Sequence, residues 1–324
     1  MTKIERIFYA SAPVRLVRNS SKRIILPGFS GVPLYDVYSF FVGEIKKSSL
    51  NTRAKSISFD FAMAIPAVLI CLFTLIPYLP VSKQFSDELL RLTRSITPNQ
   101  STYNVVRSFL NDFLHTPRVG LLSFGFILVI FYASNAMLSI IRTFDTAIYK
   151  HHRKPNFIRK RIKAIRLTII ILALFVATVL LSLGQGIVFT YVLKTFKLKS
   201  SNTIILSSIR WLIIIALFFY SISFIYRYAP SVKKRWPLIS PGSILATTLI
   251  MATTFVFSYW VNHFNNYNKI YGSLGTIMIF MLLIYLNSLI MLIGFELNLS
   301  ITYLKSNIDR TPKETMNKSQ VSSL

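Results

Sequence analysis

The sequence predicts an all-α, polytopic integral membrane protein, and three observations carry that prediction. Hydrophobic residues make up 53% of the 324 positions, more than an ordinary soluble domain of this length holds. They gather into long apolar runs, and at about 1.5 Å of rise per residue roughly 20 residues cross a hydrocarbon core of about 30 Å. The 37 Lys and Arg, set against 11 Asp and Glu for a net charge of +26, fall between those runs in alternate loops. A soluble nucleic-acid-binding fold would instead gather them on one face.

Six spans follow, at residues 57–78, 120–141, 167–193, 204–226, 244–261 and 274–295. They divide the chain into a basic tail at 1–56, a six-span membrane domain at 57–298 and a polar tail at 299–324. The two tails and the second and fourth loops hold 27 Lys and Arg against 9 in the other three loops. Cationic loops stay on the cytoplasmic side, so both termini are expected there. Cys71 is the single cysteine and there are four His, so no intrachain disulfide, metal centre or cofactor is expected.

Within the basic tail, Leu34, Val37, Tyr38, Phe41, Val42 and Ile45 recur at the spacing of one helix face. That pattern predicts an amphipathic helix, lying at the membrane interface or packing on the bundle. The first span carries Asp60 one turn inside its inner end and Pro66 in its middle. Pro66 removes a helix hydrogen bond, and an acid at such depth calls for a partner or for wetting from the cytoplasm. The long connection 80–118 opens a helix at Thr97 and Pro98, an N-cap and first-turn pair, and so predicts a small helical outer loop.

The second span is the best marked. Residues 120–141 contain no charge, Ser134 and Asn135 lie inside the run, and nine Lys and Arg follow between Arg142 and Arg166. Asn135 and Arg142, seven apart, share a face, and Asp145 stands within ion-pair reach of Arg142. Such a pair at a helix end is alternatively a surface salt bridge of little worth. Ile158, Ile162 and Ile165 line one side of the basic helix entering the third span, which contains Gly184, Gln185 and Gly186, a pattern of close helix packing.

Arg210 sits near the outer end of the fourth span, where it can snorkel. After it, Pro237, Pro241 and Gly242 mark a turn that restarts the chain toward the membrane. The fifth span ends in Tyr259 and Trp260, residues of an aromatic belt. On the sixth, Asn287, Met291, Gly294 and Asn298 share a face, whereas Glu296 points elsewhere. The polar tail after Lys305 reads as disordered.

The segments SISFDFAMAIPAVL, FYASNAMLSIIRTFDTAIY, SPGSILATTLIMATTFVFSYWV and YGSLGTIMIFMLLIYLNSLIMLIGFELN resemble, in order and spacing, the YihY/BrkB family of bacterial inner-membrane proteins. The resemblance covers about residues 35–305 and implies a six-span inner-membrane protein with roles in envelope function and transport. The family's motifs map onto Asn135, Arg142, Tyr271, Gly272, Gly294 and Glu296, and no catalytic role comes with them. Its old label of ribonuclease BN also implies a metal-ligand cluster that the sequence does not supply.

Two functions are therefore weighed ahead of an enzyme, for which no nucleophile, base and metal constellation is present. Asp60, Asn135, Arg142, Asp145, Asn287, Glu296 and Asn298 all fall in the cytoplasmic half of the expected topology. As a polar network with Arg142 beside Asp60, they would line a cavity for transport or amphiphile translocation. As separate contacts they would only hold helices together. The expected partners are membrane lipids, through anionic headgroups at the cytoplasmic face, and not nucleic acid.

Overall fold

The computed structural model describes residues 21–22, 24–47, 49–78, 90, 94, 100–115, 119–148, 156–183, 203–232, 235–263 and 273–321. Its helices are α1 (Leu34–Lys47), α2 (Leu50–Leu75) with a 3-10 turn at Ile76–Tyr78, α3 (Gln100–His115) and α4 (Val119–Ile148). They continue with α5 (Phe157–Leu183), α6 (Thr203–Tyr228), α7 (Pro241–His263) and α8 (Ser273–Val321). Every regular element among the described residues is helical. Four stretches, Leu50–Leu72, Val119–Ile148, Pro241–Trp260 and Met278–Ile308, are long and apolar enough to cross a membrane. They overlap the first, second, fifth and sixth expected spans; residues 167–183 of the third lie on α5 and the rest of it outside the described residues, and the fourth falls on α6, whose apolar stretch Leu212–Tyr228 is shorter.

Several boundaries differ from expectation. α2 begins at Leu50, about two turns before the first apolar run, and passes Pro66 without a break. A proline inside a helix costs one hydrogen bond and leaves the carbonyl four residues earlier free, which a long helix with intact neighbouring turns tolerates. α8 continues to Val321, where the polar composition after Lys305 reads as disorder. Composition measures what a segment can bury, whereas a helix already nucleated in an apolar span propagates at one hydrogen bond per added residue. α3 occupies the connection expected to be helical.

The chain forms two compact units, Met1–Lys55 with Val232–Leu324, and Ser56–Ser231. In the first, α8 packs against α7 and α1. The segment before α1 makes two tight turns, closed by Phe29 N–H to the Leu26 carbonyl and Val32 N–H to the Phe29 carbonyl. Gly28 and Gly31 take positive φ there, as does Ser30, which a side-chain-free residue adopts without strain. The turns bury Phe29 and Val32 with Val37 of α1 and Ile301 of α8. The apolar face of α1 is thus partly spent inside the protein, while Tyr38 remains 62% exposed.

In the second unit α5 packs against both α4 and α6. Met137, Ile140, Ile141 and Phe144 of α4 recur at three-and-four spacing and are buried, as are Ala164 and Leu167 of α5 and Ile222, Ile225 and Tyr226 of α6. The Phe144 and Tyr226 rings lie 6.0 Å apart. Thr74, Thr178 and Ser221 return their hydroxyls to carbonyls four residues earlier, which satisfies polar groups that lipid cannot.

Candidate functional site

The helix pair α4 and α5 carries most of the polar chemistry of the second unit. Asp145, on the fully buried side of the last turns of α4, accepts a 2.8 Å ion pair from Lys160 Nζ. Its other contacts come from Ser231, whose backbone N–H donates to Oδ1 at 3.0 Å and whose hydroxyl donates to Oδ2 at 3.3 Å. Lys163 Nζ donates to the Pro230 carbonyl at 3.1 Å and to Ser231 Oγ at 3.2 Å. A cation so placed satisfies a carbonyl just beyond the C-terminus of α6, where the helix dipole is negative. Three helix ends are tied by one carboxylate and two lysines, each with partners, which is the condition under which buried charges hold a structure together.

Arg142 takes no part in this cluster. The expected pair with Asp145 is replaced by Lys160, and the Arg142 guanidinium stands 5.4 Å from the centroid of the Phe157 ring. The reason is burial: Asp145 faces the core and Arg142 is exposed, so helical spacing brings them near without turning them toward each other. Asp60 is half-buried and forms no ion pair with Arg142.

One residue beyond Lys160, Arg161 does something different. Its Nη1 donates to Asn135 Oδ1 of α4, and its guanidinium lies 5.6 Å from the centroid of Phe131, one turn further along α4. Lys160 and Arg161 are adjacent, yet their partners Asp145 and Asn135 are ten residues apart on α4, about 15 Å along the axis. The two side chains must therefore diverge, the lysine toward the basic end of α4 and the arginine toward the apolar middle of the helix. Among the described residues no carboxylate pairs with Arg161.

In the other unit the polar residues of α8 are spent on structure. Asn298 accepts the Gly242 N–H at 2.8 Å through Oδ1 and donates from Nδ2 to Ser240 Oγ at 2.9 Å. Ser240 and Ser243 cap α7 reciprocally: Ser243 N–H donates to Ser240 Oγ at 3.2 Å and Ser240 N–H to Ser243 Oγ at 3.0 Å. Pro241 occupies the first helical position, where its missing N–H costs nothing. A Cβ on Gly242 would overlap the Gly294 carbonyl oxygen and come within 2.6 Å of Asn298 Cγ, so the glycine is required by the close crossing of α7 and α8. Glu296, also buried, lies 3.7 Å from Arg53 Nη1 at the start of α2. Tyr285 donates to Asn51 at 2.6 Å. Asn287 differs from all of these, because its Oδ1 is buried with no hydrogen-bond partner.

The expected network is thus divided. Asp145 and Asn298 belong to satisfied structural clusters, Glu296 faces Arg53, Arg142 is exposed over Phe157, and Asn135 holds Arg161. Tyr271, Gly272, Gly184, Gln185 and Gly186 lie outside the described residues, as do Thr97, Pro98 and the side chain of Arg210. Sequence reasoning missed Arg53, Lys160, Arg161 and Lys163 as individuals, counting them only as topogenic charge. For Lys160 a signal existed, since it shares helical spacing with Ala164 and Leu167, the buried face of α5. No group of three or more His, Cys, Asp or Glu that could hold a metal occurs among the described residues.

Residues 41–319 match the family model described as virulence factor BrkB. The chain is 29% identical over 281 residues to YfkH of Bacillus subtilis, described as ribonuclease-like, covering 86% of this chain and 97% of that protein. It is 33% identical over 89 residues to a UPF0761 membrane protein of Pseudoalteromonas translucida, 28% of this chain and 29% of that one. A UPF0761 membrane protein of Tolumonas auensis is 35% identical over 72 residues, 22% of this chain and 24% of its own length. No solved structure matches the chain.

Proposed function

Because the chain belongs to the BrkB family and is a multi-pass membrane protein, we propose that it translocates an amphiphile, with a cytoplasm-facing polar site around Asn135 and Arg161. The observation that carries this reading is the guanidinium held by an asparagine and a phenylalanine in the apolar part of α4. A cation there is costly unless something anionic visits it, and intramembrane ionisable groups are functional by default.

The reading places the protein in the bacterial inner membrane with six spans and both termini cytoplasmic, supported by the 27 to 9 division of cations under the positive-inside rule. It treats the chain as a non-enzyme, and it assigns α1, with Tyr38 exposed, to the cytoplasmic interface. Ribonuclease-like describes YfkH, and the reading does not carry it to this chain.

A second reading, a non-enzymatic scaffold, draws on the Asp145 and Asn298 clusters, whose polar groups serve packing. Proteoliposomes separate the two. Purified protein should speed the exposure of fluorescent phospholipid to an impermeant quencher, and Asn135→Leu should abolish the gain with the melting temperature within a few degrees of wild type. Unchanged leaflet exchange with and without the protein would favour the scaffold.

A further inference from the structure

We infer that Arg161, held by Asn135 and approached past Arg142, binds the phosphate of an anionic phospholipid from the side of the bilayer. The argument begins with charge. Asp145, the carboxylate nearest in sequence on α4, is fully committed to Lys160 and Ser231, so it cannot neutralise Arg161. A guanidinium presents five N–H donors in a planar fork, and Asn135 accepts from only one nitrogen, Nη1. The remaining donors match the paired oxygens of a phosphate, the geometry for which arginine is suited.

The surroundings decide what carries the phosphate. Phe131, against which the guanidinium rests, is 51% exposed, and Ile158 and Ile162 on either side of Arg161 are 69% and 47% exposed. On the six-span reading α5 enters the bilayer beside α4, and exposed apolar residues at that entry meet acyl chains, so the site opens on lipid rather than on a closed aqueous pocket. A soluble phosphate would have to shed its water and then sit beside exposed phenylalanine and isoleucine. A phospholipid brings its own chains to cover them.

Arg142 adds direction. It stands on the same face of α4 as Asn135, seven residues nearer the basic end, exposed and resting on Phe157. Asn135 and Arg142 are about 10 Å apart along α4, so a headgroup held first at Arg142 has the Asn135 amide and its arginine further along the same helix face. The upward reach of Arg161 is then the feature that draws a phosphate below its ordinary depth. This inference rests on the reading of the Asn135 region as an amphiphile site, and it adds the headgroup class and the residue that selects it.

The test is native mass spectrometry of the full chain, delipidated in detergent and offered equimolar phosphatidylglycerol and phosphatidylcholine. Wild type should retain phosphatidylglycerol preferentially. Arg161→Gln should lower that retention roughly ten- to a hundredfold, the range for hydrogen bonds to a charged group. Arg161→Lys, which keeps charge without the fork, should fall between them and guards against a variant that fails to fold. Equal retention by Arg161→Gln and wild type would overturn the inference, as would displacement of the lipid by millimolar inorganic phosphate, which would make the ligand a soluble anion. Lipid retained through Arg161 without any leaflet exchange leaves the inference standing and removes the translocation reading. Leaflet exchange and lipid retention both unchanged in Arg161→Gln would remove the inference and leave translocation running through another site.

Discussion

The crossing of α7 and α8 and the pairing of α4 with α5 both set polar residues into apolar helices, and they resolve them in opposite ways. At the first, Asn298 uses both ends of its amide, Ser240 and Ser243 cap each other, and Gly242 brings the backbones into contact. At the second, Asp145 and Lys160 close a buried pair, but the next residue, Arg161, is turned into the apolar part of the helix with an amide and a ring for company. The difference teaches how to separate glue from site in a membrane protein. Helices in lipid gain little from hiding apolar surface, so interhelical polar contacts hold them when satisfied. When protein contacts leave a charge uncompensated, the missing partner must come from elsewhere.

The comparison can be broken most directly at its tightest point. Gly242→Val sets a branched side chain against the Gly294 carbonyl, which is backbone and cannot swing aside, and against the Asn298 amide that caps α7; we expect loss of monodisperse protein on size exclusion. Recovery of Gly242→Val at wild-type yield would remove the close crossing. Asp145→Ala should rank next. It leaves Lys160, which is 9% exposed, without its counter-charge, and breaking a buried pair from one side costs about 3–5 kcal/mol. Thermal unfolding in detergent measures this, and Asp145→Ala,Lys160→Met together should recover part of the loss.

Asn298→Ala should follow, at about 1–3 kcal/mol for each buried partner left unmatched, here the Gly242 N–H and the Ser240 hydroxyl. A shift no larger than that of an exposed control such as Lys305→Ala would mean that the cap of α7 is self-sufficient. Arg161→Gln belongs to the other class and should move stability by less than about 1 kcal/mol, because its effect falls on bound lipid. Smallest of all, Asn287→Leu should be neutral or slightly stabilising, since its Oδ1 has no partner to lose; a clear drop in melting temperature would place Asn287 among the glue.

Much of the architecture was legible because the bilayer reduces choice. A span must be helical, since lipid offers its backbone no partner, and residues 120–141 announce such a run without a charge. The turn before α7 was legible in Pro237, Pro241 and Gly242, whereas its reciprocal serine cap and the close crossing at Gly242 came only with the structure. On α8, the separation of Asn298 from Glu296 by helical phase held, with the first on Ser240 and Gly242 and the second near Arg53. What misled was the inference from spacing to contact: Arg142 and Asp145 are three apart, yet one faces outward and the other the core.

The sequence by itself determined that this chain is helical and built for a membrane, and which residues are too polar for their surroundings. Those properties depend on composition and on a fixed period of 3.6 residues, which are local. Only the tertiary structure decided which cation meets which polar group. Lys160 and Arg161 are neighbours with similar charge and reach, and nothing in their order says that one descends to Asp145 while the other climbs to Asn135. That choice is made by the facing helix, whose buried carboxylate accepts a single ammonium and leaves the guanidinium to the amide ten residues away.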